Sequence, residues 1–423
     1  MSKEENRKNF SKYVSQNILG MIGFSCYVLA DSYFISIAKG ADGLTALNLV
    51  MPLYSIIFSI GEMIGVGSAI RYAISKIKKD ADADDYFWNA IIWCIMSSMI
   101  FVFAGIFFSS DIMRVLGADE HIVAVGNNYT KIFMCFAPMF MCNYVTNAFV
   151  RNDGAPGIAM SATLFSSLFN IVFDYILMFP MNLGMEGAAL ATALSPIIGM
   201  GICSIHFFSK KSSVRLVVCK PSVRKLVAGC QLGVSAFVGE MSSAVITLAF
   251  NFVILKLTGN VGVAAYGVVA NIAIVTTAVF NGVAQGSQPL ISSCFGRGDK
   301  DGCTQLKRMG YTTAFVLAAV MYSILFIFAE QFVAVFNSEG SEILRLYATE
   351  GVKLYFIGIF FAGINIVGGG AFSATEDAFK AAVVSVARGF VLILGAVFVM
   401  SALFGMTGVW LAYAVAEGIT TFI

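Results

Sequence analysis

The sequence predicts an all-α polytopic membrane protein with twelve transmembrane helices, arranged as two six-helix lobes related by a pseudo-two-fold axis along the membrane normal. Three observations lead there. The 423 residues are 58% hydrophobic and only 12% charged, with a mean hydropathy of +0.82. That is more apolar surface than a water-soluble fold needs, and it falls in runs long enough to cross a bilayer. The cations between those runs sort to alternate sides, and the second half of the chain repeats the first.

The apolar runs occupy 13–38, 44–76, 87–108, 121–149, 155–179, 185–209, 229–256, 262–293, 309–329, 342–374, 379–403 and 406–423. Those longer than about 25 residues must tilt, kink or protrude into water. Residues 1–12 are polar, carry Lys3, Arg7, Lys8 and Lys12, and lack a cleavage pattern, so the first run is expected to be kept as a helix. With the N-terminus inside, the inner connections are the N-terminal segment, 71–79, Arg151, 210–225, 297–308 and Lys380. They hold twenty Lys and Arg, against four outside, namely Lys39, Arg114, Lys256 and Arg345. This bias predicts a multi-pass protein of the cell (cytoplasmic) membrane with both termini in the cytoplasm.

The basic connection near mid-chain divides an N-terminal lobe (1–210) from a C-terminal lobe (229–423), with 211–228 as a cytoplasmic linker. GMEGAALATA at 184–193 matches GMTGVWLAYA at 405–414 in six of ten positions. IGVGSAI at 64–70 aligns with VAQGSQP at 283–289 at an offset of 219, and the same offset matches Leu29-Ala30 with Leu248-Ala249. The repeats therefore run in parallel about the membrane normal, with a cavity expected between them.

The repeats differ where they carry charge. Asp31 aligns with Phe250, Asp174 with the apolar stretch 395–397, and Thr192 with Tyr413. Asn170 and Asp174 are spaced i,i+4 on one helical face, and Thr192 lies on the helix that returns. At 1.5 Å per residue, Asp31, Asp174 and Thr192 all lie about 9–12 Å below the outer end of their helices. Carboxylates at that depth are functional candidates. Two in one bundle relieve their repulsion by sharing a proton or a cation held by oxygen ligands, so a sodium ion at Asp31, Asn170, Asp174 and Thr192 is a further candidate. The competing reading ties each carboxyl separately to backbone, Tyr27 or Tyr175.

Other polar groups point to a substrate cavity: Tyr27, Glu62, Glu240, and the amides Asn281 and Gln285 on one face of the glycine-containing run FNGVAQGSQPLIS at 280–292. Glu350 and Lys353, an i,i+3 pair, are expected to neutralise each other, as are Arg388 and Glu417. Met and Phe, 20 and 38 in number, are mainly lipid-facing and core material, with a share available for an adaptable pocket.

Enzymatic and nucleotide-driven classes find little support. There is no GxxxxGK[ST] phosphate loop, no HExxH or GxSxG arrangement, and only two histidines. The nine cysteines show no metal or redox spacing. No cofactor and no nucleic-acid partner are expected; small molecules and the lipid bilayer are, with the protein acting as a monomer.

The YVLAD motif at 27–31, NIVFDYILMFPMNLGMEGAALATALS at 170–195, the paired turns FVRNDGAPGIA (149–159) and FSATEDAFKAA (372–382), and GVAQGSQPLIS together resemble the MATE (multidrug and toxic compound extrusion) family over the whole chain. The likeness is to its DinF-like and MepA-like branch. The resemblance implies a secondary antiporter that couples inward proton or sodium movement to efflux of amphipathic, often cationic, drugs or toxins by alternating access. It assigns Asp31, Asn170, Asp174 and Thr192 to the coupling site. The alternative in the same superfamily is a flippase for a lipid-linked precursor, which should line its cavity with cations. Two departures stand out. Gln16, followed by Gly20 and Gly23, occupies the region where family members often have proline, and the chain stops at Ile423 without a basic tail, which implies that it is trimmed.

Overall fold

The computed structural model describes residues 3–336 and 341–423, and helices account for nearly all of them. The first lobe comprises α1 (Lys3–Gly40), α2 (Asp42–Lys78), α3 (Asp85–Val115), α4 (Glu120–Cys135 and Ala137–Asn152, bent by 46°), α5 (Pro156–Met178) and α6 (Gly184–Phe207). Pro138, which has no N–H to donate, sits just past the bend of α4. The second lobe comprises α7 (223–258), α8 (260–296), α9 (Lys300–Ile327, continued by Ala329–Phe336), α10 (Glu342–Ala374), α11 (378–404) and α12 (406–421). α11 contains a π-helical turn, Ala387–Val391, around Arg388.

The repeat seen in the sequence is also written in the backbone. Four helix pairs turn on a left-handed glycine, a conformation that a Cβ would strain: Gly40 (φ 59°) and Gly259 (φ 68°), then Gly184 (φ 51°) and Gly405 (φ 61°). The pairs are separated by 219 and 221 residues, the offsets at which 64–70 and 184–193 match the second half. At the opposite end of the bundle, the end rich in Lys and Arg and here called the basic face, Gly154 (φ 90°) corresponds to Glu376 (φ 59°). There the second lobe places a glutamate in a geometry that ordinarily selects glycine.

Three helix starts depart from the expected runs by more than two residues, and α3 continues to Val115 instead of 108. α1 starts at Lys3 instead of 13, because its first turns are amphipathic. Glu4 and Glu5 favour the positive helix end, Asn6 donates to Gln305 at 3.3 Å, and Phe10 is buried against the second lobe. α9 starts at Lys300 instead of 309, capped by Asp299, which accepts from Gly302 N–H at 2.8 Å. α7 starts at Val223 instead of 229, after Ser222 as cap. Arg151, counted as a loop charge, is instead buried in α4. With no proline in this stretch, α1 runs unbroken through Gln16, Gly20 and Gly23.

Each lobe has its own apolar core, and the lobes meet closely at the basic face. α2 crosses α7 there with backbone against backbone: a methyl group on Gly67 would lie 2.0 Å from the Gly229 carbonyl oxygen, and one on Gly233 would lie 2.0 Å from that of Met63. Small residues permit such an approach between membrane helices.

Candidate ion and substrate site

The turn at Gly184 folds α6 back along α5, and Ser166 donates to the Ser195 carbonyl at 2.7 Å to join them further along. Between these ties lie Asn170, Asp174 and Thr192, all buried. With the Asn170 nitrogen facing Asp174 Oδ2 at 3.0 Å, its oxygen accepts from both the hydroxyl and the backbone N–H of Thr192, each at 3.2 Å. This orientation gives both the nitrogen and the oxygen of the amide a partner. One oxygen remains on each carboxyl group, Asp31 Oδ1 and Asp174 Oδ1, buried and without a hydrogen-bond partner. Buried carboxylate oxygens in that condition call for a proton or a cation.

Asp31 is not hydrogen-bonded to the trio among the described residues, yet it lies within electrostatic reach of Asp174. Asp31 and Thr192 face a cavity of about 320 Å³ between the lobes, while Asn170 and Asp174 lie behind them. A small ion from the cavity therefore meets Asp31 and Thr192 before Asp174. The donor set is two carboxyls, one amide and one hydroxyl, all oxygen ligands suited to a hard monovalent cation or to a shared proton. Among the described residues no cluster of three or more His, Cys, Asp and Glu exists to hold a transition metal.

The second-lobe counterpart of this site is aromatic. Phe250, aligned with Asp31, stacks on Tyr266 at 5.1 Å, and Tyr413, aligned with Thr192, stacks on Tyr355 at 4.3 Å. Arg388 and Glu417 pair as expected, Nη2 to Oε1 at 2.6 Å, and Asn365 donates to the same carboxylate at 2.7 Å. Glu350 and Lys353 do not make the expected pair. Glu350 accepts from Thr407 at 2.6 Å, and the Lys353 ammonium sits over the Phe326 ring, because the i,i+3 spacing loses to partners on neighbouring helices.

The substrate candidates line the space between the lobes. Tyr27, Glu240 and Asn281 face the 320 Å³ cavity, which extends along Met51, Tyr54, Thr247 and Ile274 toward the end opposite the basic face. Glu240 also borders two smaller cavities nearer the basic face, both shared with Glu62 and Gln285. The cleft thus carries Glu62 and Glu240, with Asp31 on its wall, among aromatic side chains.

Below it the lobes are latched by Arg151, Arg71 and Lys78, which the sequence presents only as loop cations, together with Gln285, Glu62 and Glu376. Arg151 donates to Gln285 at 2.6 Å, and Gln285 to Glu62 at 3.2 Å. Arg71 pairs with Glu376, which also holds Lys78 at 3.6 Å, and Arg71 Nε donates to the Ala228 carbonyl at 3.1 Å. The paired turns held the signal: the acids they carry part ways. Asp153 of the first turn stays within its own half, accepting from His206 at 2.8 Å and from the Tyr72 hydroxyl at 3.0 Å. Glu376 of the second turn reaches across to the other lobe.

Known proteins share this architecture. The MatE family model matches residues 17–176 and 236–400. Curated relatives include the multidrug export protein MepA of Staphylococcus saprophyticus, 26% identical over 410 residues that span 95% of this chain and 89% of that protein. MepA of Staphylococcus aureus strain MRSA252 is 27% identical over 414 residues, with the same coverage of 95% and 89%. Among solved structures, the outward-facing conformation of a multidrug resistance MATE family transporter of the MOP superfamily superposes with a TM-score of 0.92 at 20% identity, over 99% of this chain and 94% of that one. A crystal structure of a MATE in complex with MaL6 gives the same TM-score of 0.92, identity of 20% and coverage of 99% and 94%. The fold is shared, and the chain is a multi-pass membrane protein.

Proposed function

Because this chain belongs to the MatE family, we propose that it is a secondary active multidrug exporter, driving efflux of amphipathic, often cationic, small molecules by inward movement of protons or sodium ions. The basic face is cytoplasmic under this reading, since connections rich in Lys and Arg remain on that side. The observation that carries the proposal is the pair of partnerless carboxyl oxygens on Asp31 and Asp174, next to a cleft holding Glu240.

The residues divide the work. Asn170 fixes one oxygen of Asp174 and aligns Thr192, leaving the other oxygen for the coupling ion. Asp31 lies between that position and the cleft. Glu240 and Glu62 attract a cationic substrate, and Tyr27 and its aromatic neighbours offer ring faces to its apolar body. The structure, latched at the basic face with its cavity extending toward the far end, corresponds to the outward-facing state. Residues 1–210 and 229–423 are the two moving lobes. Ion occupancy changes how α1 packs on α5 and α6, and a hundredfold preference of the ion for one state supplies roughly 2.7 kcal/mol of bias. The protein acts as a monomer and performs no covalent chemistry.

The test is efflux of a cationic dye from proteoliposomes with sodium and pH gradients imposed separately. One gradient is expected to drive transport, and the Asp174→Asn variant to abolish that dependence. Transport indifferent to both gradients would refute the coupling.

A further inference from the structure

Away from the central cleft, the basic face holds another cavity of about 900 Å³ between the first turns of α1 and those of α9. One wall belongs to each lobe. On α1 the lining positions 3, 7, 11, 14 and 18 recur every three or four residues, so they form one helical face. Both helices run inward from the basic face. Their register is set by Gln305, which donates to the Lys3 carbonyl at 3.0 Å and accepts from Asn6 at 3.3 Å. Counting equal rise from that tie, Arg7 comes level with Arg308, while Val14 and Ile18 lie alongside Leu317 deeper in.

The cavity is therefore graded. Its mouth carries three cations, Lys3, Arg7 and Arg308, against one acid, Asp301. Among the described residues none of the three cations is in an ion pair. Past the hydroxyls of Ser11, Ser15, Thr312 and Thr313, its deep end is formed by Val14, Ile18 and Leu317. Ile18 is fifteen residues beyond Lys3, about 22 Å along the helix, which reaches well into the hydrocarbon of a bilayer. Cations at the mouth attract an anion, and the apolar end suits an acyl chain. A soluble phosphate would use only the first. Basic pockets between membrane helices at the cytoplasmic boundary are recognised as sites for anionic headgroups.

We propose that this groove binds one anionic phospholipid, its phosphate held by Lys3, Arg7 and Arg308 and an acyl chain lying along Val14, Ile18 and Leu317. Seated there, the lipid touches both lobes and holds α1 against α9.

The experiment uses the full chain, purified in detergent, delipidated, and incubated with equal amounts of phosphatidylglycerol and phosphatidylcholine of identical chains. Retained lipid is quantified by mass spectrometry. Phosphatidylglycerol is expected to be retained at least about fivefold over phosphatidylcholine, a preference reduced to less than about twofold in the K3Q/R7Q/R308Q variant. Leu317→Trp, which fills the apolar end and leaves the charges in place, is expected to lose lipid as well and serves if the triple variant fails to fold. The K210Q/K211Q/K220Q variant, neutralised elsewhere on the same face, should keep the preference. Equal retention of the two lipids overturns the proposal, as does a preference that survives both groove variants or is lost equally in the control. Displacement of the lipid by millimolar inorganic phosphate also overturns it, since the site would then bind the free anion.

Discussion

Gly67→Ala tests whether the crossing of α2 over α7 is what keeps the basic face shut. The added methyl would lie 2.0 Å from the Gly229 carbonyl oxygen and 2.7 Å from the Gly233 nitrogen. Even a close C–H···O contact needs about 3.3 Å, so the helices must part by more than about 1 Å. Both obstacles are backbone, which cannot rotate away. Overpacking of this kind costs about 1–3 kcal/mol, and the cost falls on the closed state, since separated lobes relieve it. The population ratio should therefore shift toward the state open at the basic face by about 5- to 150-fold. The assay is labelling of Ala284→Cys, which lines the cavity between the lobes, by a membrane-impermeant thiol reagent applied from the basic side, in a background free of the nine native cysteines. Gly233→Ala, whose methyl would meet the Met63 carbonyl oxygen at 2.0 Å, should act alike. Gly201→Ala, on an exposed face of α6 with nothing within 4 Å, should change neither labelling nor transport. Unchanged labelling in both wedge variants at normal membrane levels would show that the lobes do not separate at this crossing.

Three further outcomes are expected. Asp31→Asn and Asp174→Asn should each lower ion-driven efflux at least about tenfold while inserting normally, because topology follows loop cations and not the buried acids; wild-type rates in both would sink the shared site. Glu240→Gln should reduce efflux of a cationic substrate about tenfold relative to a neutral one, the scale of a charge-assisted contact, and equal losses measured for the two substrates would assign Glu240 a structural or coupling role. Glu376→Gly removes the latch to Arg71 and Lys78 but relieves a left-handed backbone worth about 1–2 kcal/mol. Thermal stability should hold or rise while basic-side labelling of Ala284→Cys increases several-fold, and a fall in stability with unchanged labelling would mean that Glu376 serves folding alone.

The family-level likeness and the partnerless acids bear on different questions. Membership fixes the transporter class and the two-lobed frame. Under the proposed coupling role, the choice between proton and sodium rests with the oxygen set around Asp31 and Asp174, which is suited to either, so separate gradients are the decisive measurement.

What the sequence determined by itself was whatever depends on composition and spacing. Apolar runs fixed the number of helices, because each must satisfy its backbone internally while crossing lipid. The matching segments at 184–193 and 405–414 fixed the two-lobed repeat, and the i,i+4 spacing of Asn170 and Asp174 placed both on one face, with Thr192 on the next helix. Tertiary structure alone decided which polar groups find each other. Glu350 and Lys353 are sequence neighbours and take other partners, while Arg71 and Glu376 lie 305 positions apart and form an ion pair. Arg151 read as a loop charge and proved to be a buried bridge to Gln285. The physical reason is that a buried charge must be compensated by whichever group packing brings near it. Local periodicity tells which face of a helix a residue occupies, but what that face meets is set by how the two lobes close on one another.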